Sequence, residues 1–128
     1  MLDLRFGKSQ RLLTPREFKA VFDGACFKSS HRSLLLLAIP APAGQARLGL
    51  VIAKKHARLA VERNRIKRQL RESFRHHQQA LAGLDIVALA KPGLVQLNNE
   101  GLRKLIEEQW QRLLRQQQKA QQAAGAEA

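Results

Sequence analysis

The stretch ERNRIKRQLRESFR, Glu62–Arg75, decides how this chain folds. Lys and Arg dominate it, yet its apolar residues are regularly spaced. At about 100° per residue, Ile66, Leu70, Phe74 and the more distant Leu81 fall within an arc of roughly 80°. That stripe predicts a helix from about Leu59 to Leu81 with one face on a core. Asn64, Lys67, Arg68, Arg71 and Arg75 fill a second arc roughly 100° wide, beside the stripe. Arg65 and Glu72 flank it. Arg63 projects over the stripe, in the first turns, where a helix can extend past a sheet.

ARLGLVIAKK before this helix reads as a strand, with Leu48, Leu50 and Ile52 alternating with Gly49, Val51 and Ala53. FKSSHRSLLLLAI reads as strand as well, with a short pairing around Cys26–Lys28 ahead of it and the turn-rich PAPAGQ after it. Further upstream, TPREFKAVFDG carries a helix start. Thr14 is a cap, Pro15 suits the first helical position and Glu17 completes a capping box. Phe18, Val21 and Phe22 share one face, and Gly24 suits a left-handed end. Downstream, LDIVALAKPG is a strand stopped by Pro92-Gly93. LNNEGLRKLIEEQWQRLLRQQ is a last helix, capped by Asn98 or Asn99, with Leu102, Leu105, Ile106, Trp110 and Leu113 as its stripe. The order α-β-β-β-α-β-α implies a single-domain α+β sandwich, one mostly antiparallel sheet with helices packed on it. Residues 1–115 form that domain. The Gln/Ala-rich tail 116–128 lacks a stripe and is expected to fray or be disordered.

The chain has 128 residues and a net charge of +13. Residues 1–53 carry 8 basic and 3 acidic groups, residues 54–77 carry 9 and 2, and residues 78–128 carry 6 and 5. The middle 24 residues therefore hold more than half of the excess. Such self-repulsion points to a polyanionic partner. Lys67, Arg68, Arg71 and Arg75 repel one another at i, i+3 and i+4, with only Glu62 and Glu72 to offset them. A face serving solubility alone would mix signs. Arg forms paired hydrogen bonds to phosphate, and Asn64 adds a donor and an acceptor suited to a base edge or a ribose hydroxyl.

Other classes fit less well. Cys26 is the only cysteine, which excludes an intrachain disulfide and Cys-rich metal sites. His76-His77 are adjacent and His31 and His56 lack ligand-spaced partners, so no protein-built metal site is expected. No carboxylate cluster or nucleophile triad is visible, and no catalytic residue is assigned. The helix has no recognition-helix partner, zinc ligands or heptads, which disfavours DNA. The longest apolar run, Leu34–Ala43, contains two prolines and is too short to span a bilayer. MLDLRFGKSQ lacks a signal-peptide apolar region, so a cytoplasmic location is expected. Phe18 and Phe22 fit ordinary core positions, or alternatively a stacking surface for single-stranded RNA. A ribosomal-type RNA binder, a self-sufficient nuclease and a membrane-surface helix are the rival readings.

RLGLVIAKKHARLAVERNRIKRQLRESFR, Arg47–Arg75, resembles the protein subunit family of bacterial ribonuclease P, through AKK, Arg63-Asn64-Arg65, IKR and RESF in order. The resemblance runs from about residue 5 to residue 114. It implies a left-handed crossover through the long helix, contrary to the usual rule. It also implies that a catalytic RNA subunit, with its Mg²⁺ ions, removes the 5′ leader of precursor tRNA. The protein would be an accessory subunit, one per RNA, holding the leader in a cleft between the sheet and the first helix. By matched position, Phe18, Phe22, Asn64, Lys67 and Arg71 are the leader-cleft residues. Lys54, Lys55, Arg63, Asn64, Arg65, Lys67, Arg68, Arg71 and Arg75 are the RNA-binding residues, with Arg65 and Arg68 favouring the catalytic RNA. The chain has no Tyr where members often carry a sheet aromatic; Leu36 or Leu37 occupies that neighbourhood.

Overall fold

The structure, a computed structural model, describes residues 11–41 and 45–127, the last four by backbone alone. The elements are α1 (Pro15–Gly24), β1 (Phe27–Ser30), β2 (Leu34–Pro40), β3 (Arg47–Val51), α2 (Ala60–His77), β4 (Leu84–Ala90) and α3 (Asn99–Glu127), with a 3₁₀ turn at Leu94–Gln96 before α3. This is the expected α-β-β-β-α-β-α order. The centre of the PAPAGQ turn lies outside the described residues.

The sheet order is β1-β2-β4-β3. β1 and β2 form an antiparallel hairpin, so the segment read as one strand is broken at His31–Ser33. β2 pairs antiparallel with β4, and β3 pairs parallel with β4, Leu48 opposite Ile86. The handedness of the β3-α2-β4 crossover follows from one bond. Leu48 turns its carbonyl away from β4, accepting from Leu12 N at 3.1 Å, while its side chain joins the core shared with α2. For an L-residue this orientation puts β4 to the left of β3, viewed from α2 with the strands rising. The crossover is therefore left-handed, against the strong general preference.

Period-two alternation sends the two faces of the sheet to different partners. Leu34, Leu36, Ala38, Leu48, Ile86 and Ala88 pack with Ile66, Leu70 and Phe74 of α2 and with Leu102, Ile106, Trp110 and Leu113 of α3. On the other face Val87 is buried with Val21 of α1 and Leu12, and Phe18, Leu37, Ile39, Val51 and Leu89 pack around them. Leu36 is therefore core, and Leu37 is the residue on the α1 face.

The basic helix holds because burial outweighs repulsion. Ile66, Leu70 and Phe74 are essentially inaccessible, and three such side chains contribute about 5–9 kcal/mol on burial. A handful of like-charge pairs costs roughly 1–2 kcal/mol in total. The back of α2 is keyed to α3: Trp110 Nε1 donates to Ser73 Oγ at 2.8 Å, and the Trp110 and Phe74 rings lie 6.1 Å apart. α2 ends at His77, so Leu81 is buried from the following turn rather than from the helix.

Three local expectations are refined. The capping box of α1 forms in full, but α1 ends without a left-handed residue; only Gly83 and Gly93 have positive φ among the described residues. Asn98 is the α3 cap, accepting from Gly101 N at 2.8 Å. The Gln/Ala-rich segment expected to fray continues as helix to Glu127. Its first residue, Gln116, is held by β1: Nε2 donates to Lys28 O at 2.6 Å and Oε1 accepts from Lys28 N at 2.9 Å.

Candidate nucleic-acid interface

The expected polar arc of α2 forms one wall of an open groove of about 470 Å³. Asn64, Lys67, Arg68, Arg71, Glu72 and Arg75 line it, together with Arg11. Arg11 escapes a reading of local sequence because it arrives from a distant segment. Residues 11–12 run beside the outer edge of β3, Arg11 bridging to Leu48. Arg11 reaches the groove while Leu12 packs on the α1 face. This short segment joins the cationic groove to the apolar surface under α1.

Within the groove, Arg75 Nη2 donates to Glu72 Oε1 at 2.6 Å, and His76 Nε2 lies 3.2 Å from the same oxygen. His76, with Arg75, holds the Glu72 carboxyl below its usual range. Asn64, Arg68 and Arg71 are exposed and Lys67 is half-buried. The donor set is cationic, with its one carboxylate already paired. It suits phosphate oxygens and repels a metal ion. Among the described residues no group of three or more His, Cys, Asp or Glu is placed to hold a metal.

The remaining expected residues divide. Arg63 closes the entry to α2, where Leu59 offers no side-chain cap: its Nη1 donates to Ala57 O and Arg58 O, both at 2.9 Å. Arg65 reaches back to Val95 O at 2.9 Å and Asn99 Oδ1 at 3.0 Å, and pairs with Glu62. Neither lines the groove. Both lie off the open arc, as their helical spacing places them, and both guanidiniums hold α2 in place. Lys54 and Lys55 are exposed in the turn after β3, with Lys55 beside His56, Arg58 and Glu62.

The two phenylalanines also separate. Phe18 is half-buried over β3, where a Cβ on Gly49 would come within 2.6 Å of its ring. Gly49 is thus the space that lets the ring lie on the strand. Phe22 is 43% exposed and free to meet a ligand. Leu37, Val51 and Leu89 supply an aliphatic sheet surface nearby in place of an aromatic.

α1 is fixed above this surface by a charge network whose long-range member the sequence conceals. Glu17 Oε1 accepts from Leu13 N (2.8 Å) and Thr14 N (3.0 Å), and Glu17 Oε2 accepts from Arg47 Nη1 at 2.5 Å. Arg47 also grips the buried Asp85 in a two-point contact, Nε to Oδ1 at 2.8 Å and Nη2 to Oδ2 at 2.6 Å. The backbone N–H groups of Leu13 and Thr14, then Arg47, hold the Glu17 carboxyl below its usual range. Asp85 pushes Arg47 still higher than an ordinary guanidinium, over the opposing effect of burial.

A mixed α+β sheet with a basic crossover helix walling an open cationic groove defines a protein built to bind a polyanion. Comparison with known proteins specifies the kind. The family model described as Ribonuclease P matches residues 6–114, and the chain belongs to the ribonuclease P protein family. It is 54% identical to the ribonuclease P protein component of Stutzerimonas stutzeri over 94% of this chain and 92% of that one. It is 48% identical to that of Azotobacter vinelandii over 98% of each. Among solved structures it resembles the RNase P protein of Staphylococcus aureus (TM-score 0.74, 23% identity, 81% and 94% coverage). It also resembles that of Thermotoga maritima (TM-score 0.62, 26% identity, 77% and 96% coverage). The family supplies the protein subunit of a ribonucleoprotein endoribonuclease, and its role is processing of the tRNA 5′ leader. The partner class is accordingly RNA. No described helix is long and apolar enough to cross a membrane.

Proposed function

We propose that the α2 groove binds RNA phosphates, and that the surface under α1 holds the single-stranded leader of precursor tRNA. The observation that carries this reading is the convergence of Asn64, Lys67, Arg68, Arg71 and Arg75 with Arg11 in one groove. Residues 11–12 connect that groove to the face carrying Phe22. Lys67 and Arg71 contact leader phosphates, Asn64 reads a base edge or a ribose hydroxyl, and Phe22 stacks on a base. Phe18 shapes the floor. Arg68 and the Lys54–Lys55 turn contact the catalytic RNA, while Arg63 and Arg65 position α2 for it. One protein binds one RNA, in the cytoplasm. The chemistry belongs to the RNA subunit: its Mg²⁺ ions would activate water and stabilise the leaving oxygen, and no residue of this chain is assigned to them.

The test is binding across a salt series, with the catalytic RNA and with precursor tRNA. Five groove cations predict a slope of log K against log[salt] of about −4. Lys67→Ala with Arg71→Ala should make it shallower by roughly one to two units. A slope near zero for the unaltered protein would refute the reading. Cleavage of precursor tRNA by the protein without RNA would favour a self-sufficient nuclease instead.

A further inference from the structure

The outer edge of β1 carries a second cationic surface that the groove does not explain. Among the residues whose side chains are described, Leu113 is the last fully buried one of α3, yet the helix runs on to Glu127. Beyond Leu113, Leu114 still packs against the core, and Gln116 makes a two-point clamp on the Lys28 backbone. Just before it, Arg112 Nη1 donates to Ser30 O at 3.1 Å. These bonds satisfy the open edge of β1 and align a stripe of the helix along it. Arg112, Arg115, Gln116 and Lys119 share that stripe, since they recur at i, i+3, i+4 and i+7. Lys28, on the edge strand, borders the same stripe. Together the five residues line a shallow depression of about 270 Å³.

All four cations are exposed. The ion pairs found among the described residues include none of them. Like charges aligned this closely repel, and no buried contact requires them there. The depression also contains no apolar side chain to insert into a lipid surface. β1 and β3 are opposite edges of a four-stranded sheet, so this surface lies three strand spacings, roughly 14 Å, from the edge beside the groove. The two cationic surfaces therefore sit at opposite edges of the sheet.

We propose that Lys28, Arg112, Arg115 and Lys119 form a second, sequence-independent contact to the phosphate backbone of RNA, with Gln116 as the residue that positions it. This rests on the reading of the chain as an RNA binder. The RNA is either the catalytic subunit or the body of precursor tRNA, and separate binding arms distinguish them.

The full chain carrying Arg115→Ala and Lys119→Ala is titrated with a transcript of the catalytic RNA and, separately, with precursor tRNA, over a salt series. The expected result is a slope shallower by roughly one to two units for one of the two RNAs. The charge-preserving pair Arg115→Lys and Lys119→Arg should retain the original slope. Unchanged slope and affinity with both RNAs overturn the proposal. The groove variant Lys67→Ala with Arg71→Ala is run in parallel. Its failure to bind beside an unimpaired edge variant defeats only the second surface. The reverse outcome defeats only the groove.

Discussion

Arg47→Ala probes whether the charge network under α1 is structural. Arg47 makes three short contacts: one to Glu17 and two to Asp85, whose side chain is only 5% exposed. Truncation leaves the Asp85 carboxylate buried without its partner. Breaking a buried pair in this one-sided way costs about 3–5 kcal/mol. The Glu17 contact is partly open to solvent and adds at most about 1 kcal/mol. Against a total stability of roughly 5–15 kcal/mol, that is about a fifth or more. For a domain of this size the melting temperature should fall by about 10–20 °C. Urea unfolding followed by far-UV circular dichroism measures the loss directly. The double variant Arg47→Leu with Asp85→Leu removes both charges and should recover most of it, because an apolar pair of similar volume carries no desolvation penalty. A loss below about 1 kcal/mol for Arg47→Ala, or a double variant no better than the single one, would refute the reasoning.

Three further outcomes test neighbouring features. Gly49→Ala should cost about 1–3 kcal/mol in urea unfolding, because the new methyl meets the Phe18 ring and the tightly packed Leu12 Cβ at 3.2 Å. Phe22→Ala should leave stability and assembly with the catalytic RNA unchanged while weakening substrates that carry a leader; equal weakening for mature tRNA in the same titration would contradict the stacking role. Glu17 has a lowered folded-state pKa, so its stabilisation is present above the ordinary carboxylate range and disappears as pH falls through the folded value. Glu17→Gln should therefore lose stability near neutrality and show a flatter decline in acid, read from melting temperatures between pH 7 and pH 3.

Elements governed by near neighbours were legible in the sequence. The Thr14–Glu17 box and the Ile66–Leu70–Phe74 stripe are set within one or two helical turns, and both form as expected. The α2 arc was likewise visible, since its spacing alone puts Asn64, Lys67, Arg68, Arg71 and Arg75 on one side. What escaped depends on partners far along the chain. Arg11 enters the groove only because residues 11–12 lie beside β3. Arg47 has no acidic neighbour in its own strand, and Asp85, 38 positions later, comes opposite it only in the parallel ladder. Arg63 and Arg65 carry the same formal charge as Arg68, and only the uncapped helix entry and the Val95 carbonyl reveal that they are already engaged. The start of the tail shows the same dependence on a distant partner. Composition shows no apolar stripe beyond Leu113, but it cannot show that an amide side chain at 116 meets the backbone of a strand 88 positions earlier.

The sheet order has a consequence for how the protein is made. β4 is the last strand in sequence but sits between β2 and β3, neither of which pairs with the other. While the chain is being synthesised, β1 and β2 can close their hairpin, but β3 has no neighbouring strand until Ala90 has emerged. α2 is highly charged and short of apolar surface, so as a free segment it has little to hold it helical. β4, which completes the sheet it packs on, and its Trp110 support both arrive after it. The ordered groove wall is therefore complete only once β4 and the start of α3 have been made.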